Sequence, residues 1–136
     1  MPTVSPNPYD SSTAALLALR CPRCHRGPLF KYSAASLHFS DMYDACVVCE
    51  QTYEPEPGFY YGAMYLSFGF AVMIFAIVGV LLYNFAGDPD TWVYVVVVFG
   101  ITLLTTPLVF RYSRALMLYW FGGAHYDPKR AARASR

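Results

Sequence analysis

Residues 58–85 read GFYYGAMYLSFGFAVMIFAIVGVLLYNF, with no Asp, Glu, Lys or Arg among them. A helix rises about 1.5 Å per residue, so roughly 20 residues cross the ~30 Å hydrocarbon core of a bilayer. This stretch is long enough to span, with residues to spare. The surplus is aromatic and terminal: Phe59, Tyr60, Tyr61 and Tyr65 at one end, Tyr83 and Phe85 at the other. Such rings settle in the headgroup layers. A second uncharged stretch, TWVYVVVVFGITLLTTPLVF, covers residues 91–110 and opens with Trp92 and Tyr94. Pro107 falls near its end, where a kink is tolerated in lipid. Buried core helices would also read this way, but a chain of 136 residues has too little other protein to cover two all-apolar helices. Composition agrees, with 56% hydrophobic and only 14% charged residues, against about 25% charged in soluble proteins. The expected fold is membrane α-helical, a two-helix transmembrane hairpin with helices at about 60–85 and 91–110.

The charges set an orientation. All ten Lys and Arg flank the pair: Arg20, Arg23, Arg26 and Lys31 before it, and Arg111, Arg114, Lys129, Arg130, Arg133 and Arg136 after it. The turn between, Ala86-Gly87-Asp88-Pro89-Asp90, holds none. The excess of basic residues on cytoplasmic segments places both termini inside and the turn outside. The opening MPTVSPNPYD lacks the basic start of a signal peptide, so the first span is expected to act as its own insertion signal. The net charge of +1 says nothing in favour of nucleic acid.

Outward from the spans, the N-terminal side carries the chemistry. The four cysteines form two pairs, Cys21-Pro-Arg-Cys24 and Cys46-Val-Val-Cys49, with 21 residues (25–45) between them. A CxxC turn sets two sulfurs on one side of a tight loop, and two such turns complete a tetrahedron of thiolates around one ion, with Zn–S distances of ~2.3 Å. The gap slightly exceeds the usual ~15–20 residues, which a longer hairpin loop absorbs. A reducing cytoplasm disfavours disulfides, so the pattern points to zinc held by Cys21, Cys24, Cys46 and Cys49. Four thiolates on a divalent ion leave a charge of about −2, which Arg20, Arg23, Arg26 and Lys31 stand close enough in sequence to offset. Gly27 is expected to take a positive φ as the loop leaves the first turn. Residues 20–56 are too few for an independent core, so the metal is expected to supply the folding energy.

Competing chemistries fit less well. Cys21 to His25 spells CxxCH, the c-type haem attachment signal, but haem attachment lies outside the cytoplasmic membrane and would leave the second pair without a role. A dithiol redox centre needs a βαβ unit for which there is no room. Nucleic-acid binding by a zinc ribbon is opposed by the membrane tether and the modest basic charge. His25 and His38 are expected to be exposed, since four thiolates already fill the shell. No catalytic triad or phosphate loop is evident, and neither span carries an ionisable side chain other than tyrosine, so neither enzyme activity, a small-molecule substrate nor an ion pathway is expected. Ala63, Ser67 and Ala71 form a small-residue row for close helix packing, on the chain's own second helix or on a partner's.

The flanks complete the plan. Residues 1–9 hold three prolines and are expected to be disordered; Asp10 or Ser11 then caps a short helix through Leu19. Tyr112, Ala115, Leu116, Tyr119 and Trp120 fall at helical spacing, suggesting a helix along the membrane surface that Gly122-Gly123 ends, followed by a loose basic tail. The expected division is 1–19 flexible N-terminus with a short helix, 20–56 cytoplasmic zinc-ribbon-like module, 57–110 two transmembrane helices, and 111–136 interfacial helix and basic tail.

The sequence CPRC-x-x-G-x-LF, the second CxxC, EPEPGFYYGAMY and RYSRALMLYWFGG resemble the bacterial family known as domain of unknown function 983, over about residues 20–127. In that family glycine commonly follows each CxxC, where this chain has His25 and Glu50; histidine is expected to tolerate the required positive φ, and the glutamate turn is the less secure. The resemblance implies a small protein of the bacterial inner membrane with a cytoplasmic zinc ribbon and no established activity. Family members commonly stand near cytochrome oxidase genes, which implies an accessory or assembly role in a larger, plausibly respiratory, membrane complex. The alternative it leaves open is a metal or thiol handling factor in oxidase maturation.

Overall fold

The computed structural model describes Tyr9 and residues 11–133, the side chains of 131–133 excepted. The expected disorder of the first residues, the candidate cap Asp10, and Arg136 lie outside the described residues. Four helices follow in order: α1 (Ser12–Leu17), α2 (Tyr61–Ala86), α3 (Thr91–Phe121) and α4 (Pro128–Arg133).

Both α2 and α3 are long and apolar enough to cross a membrane. Neither is buried within the described chain. Phe68 is 71% exposed, Phe85 86% and Leu104 79%, a surface that water would expel and that hydrocarbon accepts. α2 ends where Gly87 and Asp88 take positive φ of 66° and 59°, and Asp90, with extended ψ of 145°, starts α3. The turn reverses the chain, so α3 runs back along α2. Their seam uses the small-residue row: Ala63 is buried, and Ser67 Oγ–H donates to Ser113 Oγ at 2.8 Å. Where a second helix of a partner was one reading of that row, the chain's own α3 occupies it. Pro107 lies within α3 without ending it. The nearby Thr105 and Thr106 hydroxyls donate to Ile101 and Thr102 carbonyls at 2.8 and 2.7 Å, which keeps them satisfied in an apolar setting.

The surface-lying helix expected from Arg111 takes a different form. α3 is continuous to Phe121, and its last turns rise to pack against the cysteine-bearing segment. Ala115 and Leu118 are fully buried there, in one cluster with Cys21, Cys24, Leu29, Phe30, Cys46, Cys49 and Tyr53. Of the expected stripe only Ala115 is buried by protein; Tyr112, Leu116 and Tyr119 are half-buried and Trp120 is 67% exposed. A segment too small for its own core borrows two residues of α3 to complete one.

That segment, residues 20–56, has no continuous strand among the described residues. Three isolated antiparallel bridges pair Arg20 with Pro28, Phe30 with Met42, and Ala45 with Thr52. α1 leads into it through a helix-ending turn: Leu19 takes φ 54°, its N–H donates to the Leu16 carbonyl, and Arg20 N–H donates to the Ala15 carbonyl at 2.8 Å. This is the Schellman pattern, with leucine where glycine is usual. The helix therefore stops at Leu17, short of the expected Leu19. Leu19 packs on the cysteine cluster, which offsets the cost of its left-handed backbone, on the order of 1–2 kcal/mol.

Candidate metal centre

The two cysteine turns are built alike. In the first, Cys21 N–H donates to the Gly27 carbonyl at 2.8 Å and His25 N–H to the Cys21 carbonyl at 2.9 Å. In the second, Cys46 N–H donates to the Gln51 carbonyl at 2.8 Å and Glu50 N–H to the Cys46 carbonyl at 3.0 Å. Each turn leaves through a residue of positive φ, His25 at 55° and Glu50 at 58°. Both turns form, including the one carrying glutamate. Gly27 serves differently from expectation. Its φ is not positive; a Cβ placed on it would collide with Cys46 Sγ, so it is glycine because the sulfur cluster lies against its backbone.

The turns face each other and interleave their sulfurs. Cys21 Sγ lies 3.7 Å from Cys49 Sγ, and Cys24 Sγ 3.7 Å from Cys46 Sγ. All four ligand atoms lie within 4.8 Å of one another. A tetrahedron with arms of ~2.3 Å has edges of about 3.8 Å, so the spacing fits four-thiolate coordination of one ion. A disulfide needs about 2.05 Å, and the four thiols are free. Cys21 and Cys24 are fully buried, and Cys46 and Cys49 are 2% and 8% exposed.

Electrostatics argue for a cation at the centre. Hydrogen bonding to Cys21 holds Cys46 well below the usual thiol range. Hydrogen bonding to Cys24, then to Cys46, pushes Cys21 far above it. Burial pushes Cys49 up to about 11. With no ion bound, these contacts favour the thiolate at Cys46 and the thiol at Cys21 and Cys49. A divalent ion lifts that limit and makes four thiolates possible. Backbone amides already point at the sulfurs: Gly27 N–H donates to Cys24 Sγ at 3.5 Å and Val48 N–H to Cys46 Sγ at 3.4 Å. The donor set thus fits a metal ion such as zinc, with no position left for water or substrate.

Several supporting residues escaped the sequence reading. Tyr53 is 1% exposed, and its hydroxyl donates to the Pro28 carbonyl at 3.2 Å, tying the second turn to the first. Burial pushes its phenol up, so it stays neutral. Arg111 Nη2 donates to the Tyr32 carbonyl at 2.9 Å and lies over the Phe30 ring at 4.3 Å. Tyr119 and Tyr112 donate to the carbonyls of Arg20 and Leu17 at 2.7 and 2.8 Å. Tyr112 and Tyr119, expected to lie along the membrane surface, are therefore part of the clamp between α3 and the cysteine turns. A polar side chain 79 to 99 positions away from its partner gives no local signal of that pairing.

Two more expectations change. His25 is 1% exposed, not on the surface. It stacks on Tyr126 at 4.4 Å, and its Nδ1 bonds the Tyr9 carbonyl at 3.0 Å; His38 is exposed as expected. The tail beyond Gly123 is partly fastened: Asp127 N–H donates to the Arg23 carbonyl at 2.9 Å, and Arg130 Nη1 to the Cys49 carbonyl at 3.5 Å. Arg20 and Arg23 donate to the Arg26 carbonyl and Gln51, so they brace the turns while lending positive field.

Among family models, that described as protein of unknown function DUF983 matches residues 37–120. The match takes in Cys46, Cys49, α2 and all but the last residue of α3, beginning after the first cysteine pair. No curated protein and no solved structure matches the chain. With more than half its length matched, the chain belongs to the DUF983 family of proteins of unknown function.

Proposed function

We propose that this is a non-catalytic, membrane-anchored zinc protein that works by binding, as an accessory or assembly component of a larger complex of the bacterial inner membrane. In this reading α2 and α3 form a transmembrane hairpin, the cysteine turns form a zinc-ribbon-like knob in the cytoplasm, and both termini are cytoplasmic. One observation carries it: the only chemically reactive cluster among the described residues is buried, four-sulfur and closed, and its module is clamped to α3 by long-range hydrogen bonds. A closed thiolate site holds its ion tightly and offers no place for hydrolysis or ready release. What the molecule presents instead is a rigid shape at a fixed height on a membrane anchor.

Orientation rests on shared ends. The cysteine turns with Arg20, Arg23, Arg26 and Lys31 pack beside Arg111 and Arg114, while Asp88 and Asp90 occupy the far turn. Every Lys and Arg flanks the helix pair and none lies in the turn between, the asymmetry that membrane insertion reads. A respiratory complex is the proposed client on the strength of the family resemblance.

Two experiments test this. Purification in mild detergent at native expression levels should recover the chain with larger membrane proteins. Migration alone on native gels, with every respiratory complex intact after deletion, would reject the accessory role. Orientation is separate: a cysteine introduced at Asp90 should react with an impermeant thiol reagent on intact cells, and one at Ser135 should not.

A further inference from the structure

A cavity of about 610 Å³ opens where the cysteine module meets the first turn of α2. Its wall holds two cations, Lys31 and Arg114, and three carboxylates, Asp41, Asp44 and Glu54. Arg114 is the unusual member. Its guanidinium lies over the rings of Tyr60 at 5.1 Å and Phe110 at 4.3 Å. Among the described residues it has no hydrogen-bond acceptor and no ion pair within 4 Å, Glu54 acting on its charge only from farther off. A half-buried guanidinium carries five donors in a rigid fork suited to an oxyanion. One left facing a cavity without an acceptor marks where an oxyanion belongs.

Position and charge narrow the ligand. The cavity's lower rim is formed by Tyr61 and Met64, which are 71% and 66% exposed at the start of the apolar helix. In a bilayer this is headgroup depth, with acyl chains below. A purely anionic headgroup would meet three carboxylates, and a purely cationic one would meet Lys31 and Arg114. A headgroup bearing both charges matches the wall. Its amine is primary: carboxylates accept hydrogen bonds that only an N–H group can give, and two of the cavity's rings already carry a cation, Tyr43 with Lys31 at 5.8 Å and Tyr60 with Arg114.

We propose that this cavity is a site for a zwitterionic phospholipid with a primary amine, its phosphate on Arg114 and Lys31 and its ammonium on the Asp41, Asp44 and Glu54 side. The bound headgroup would pin the module to the bilayer surface beside α2. This rests on the membrane reading of α2 and α3, which is checked separately by asking whether alkaline carbonate strips the protein from membranes.

The full chain, purified in detergent and partially delipidated, is titrated with phosphatidylethanolamine, phosphatidylcholine and phosphatidylglycerol, and bound lipid is counted by native mass spectrometry. Phosphatidylethanolamine should be retained at least several-fold better than the other two. Arg114→Gln should weaken its retention by roughly tenfold, the worth of one charge-assisted contact, and Glu54→Gln should reduce the preference over phosphatidylglycerol. Zinc content unchanged in both variants shows that they fold. Equal retention of the three lipids, or an Arg114→Gln variant that binds like wild type, would overturn the proposal. So would inorganic phosphate or free phosphoethanolamine competing as well as the lipid, which would make the site one for a soluble anion. Protein that carbonate extracts freely fails the membrane reading instead.

Discussion

The helix pair and the cysteine module meet at one seam, yet they are stable for opposite reasons. α2 and α3 satisfy their backbone within each helix and expose apolar side chains on nearly every face; their partner is the solvent, provided that solvent is hydrocarbon. The module exposes a polar surface, has three isolated bridges in place of a sheet, and gathers its buried side chains around four sulfurs. Its core is the four-sulfur cluster with two residues of α3 added. The first region should tolerate loss of metal and fail outside a membrane or detergent. The second should do the reverse.

The largest separation of the two comes from the ligands. Replacing any one of Cys21, Cys24, Cys46 or Cys49 with serine should abolish stoichiometric metal and unfold residues 20–54, since a structural zinc is worth about 10–16 kcal/mol to a small domain. The helices should stay inserted and retain their circular dichroism. Gly27→Ala should come close to this, because the new Cβ would displace Cys46 Sγ; a metal affinity lowered by orders of magnitude is expected. If that variant binds zinc normally, the close approach of Gly27 to the cluster is wrong.

Proton linkage distinguishes the loaded from the stripped module. Without metal, burial raises Cys49 from 9.0 to about 11, so the folded form favours the neutral thiol. That preference is fully present below about pH 9 and is lost as pH rises to about 11, where ionisation forces charge into the cluster. Stripped of metal the module is unfolded and cannot show that loss, so its protection should stay low at every pH. The zinc-loaded module, already ionised, should be flat there and should instead lose its metal on acidification, as protons compete for the thiolates.

The seam gives smaller effects. Arg111→Gln removes the hydrogen bond to the Tyr32 carbonyl and the contact with Phe30, at a cost of about 2–3 kcal/mol in docking. Faster hydrogen exchange in residues 28–43, with metal content unchanged, would register it. Ser67→Ala should cost least, about 0.6 kcal/mol, the average for a hydrogen bond between membrane helices, through loss of the Ser113 partner. An effect on partner recovery and none on the hairpin would return the row Ala63, Ser67 and Ala71 to the docking role that the fold gives to α3.

These regions also differ in how far the sequence exposes them. The helices were legible because hydrophobicity and missing charge act locally: residues 58–85 and 91–110 contain the evidence for their own state. The four cysteines were legible because CxxC geometry is local too, and one pair predicts the need for another. The join between them was not. Arg111 with Tyr32, Tyr119 with Arg20 and Leu118 with the cluster are contacts across the length of the chain, and an apolar stripe on residues 112–120 fits a bilayer surface and a protein surface equally well. His25 misled for the same reason, since Tyr126, the ring that covers it, comes after both spans. Gly27 was singled out correctly as a necessary glycine, but for its φ, where the actual demand is space beside Cys46.

One metal ion, held by four buried thiolates, is expected to organise residues 20–56 outside the helices. Elemental analysis of the protein purified without added metal, paired with hydrogen exchange before and after chelation, tests it directly. About one zinc per chain is expected, and on its removal a loss of protection in residues 20–56 with α2 and the membrane portion of α3 unchanged. Protein that folds with no metal, or that surrenders its zinc with protection in residues 20–56 intact, would contradict it.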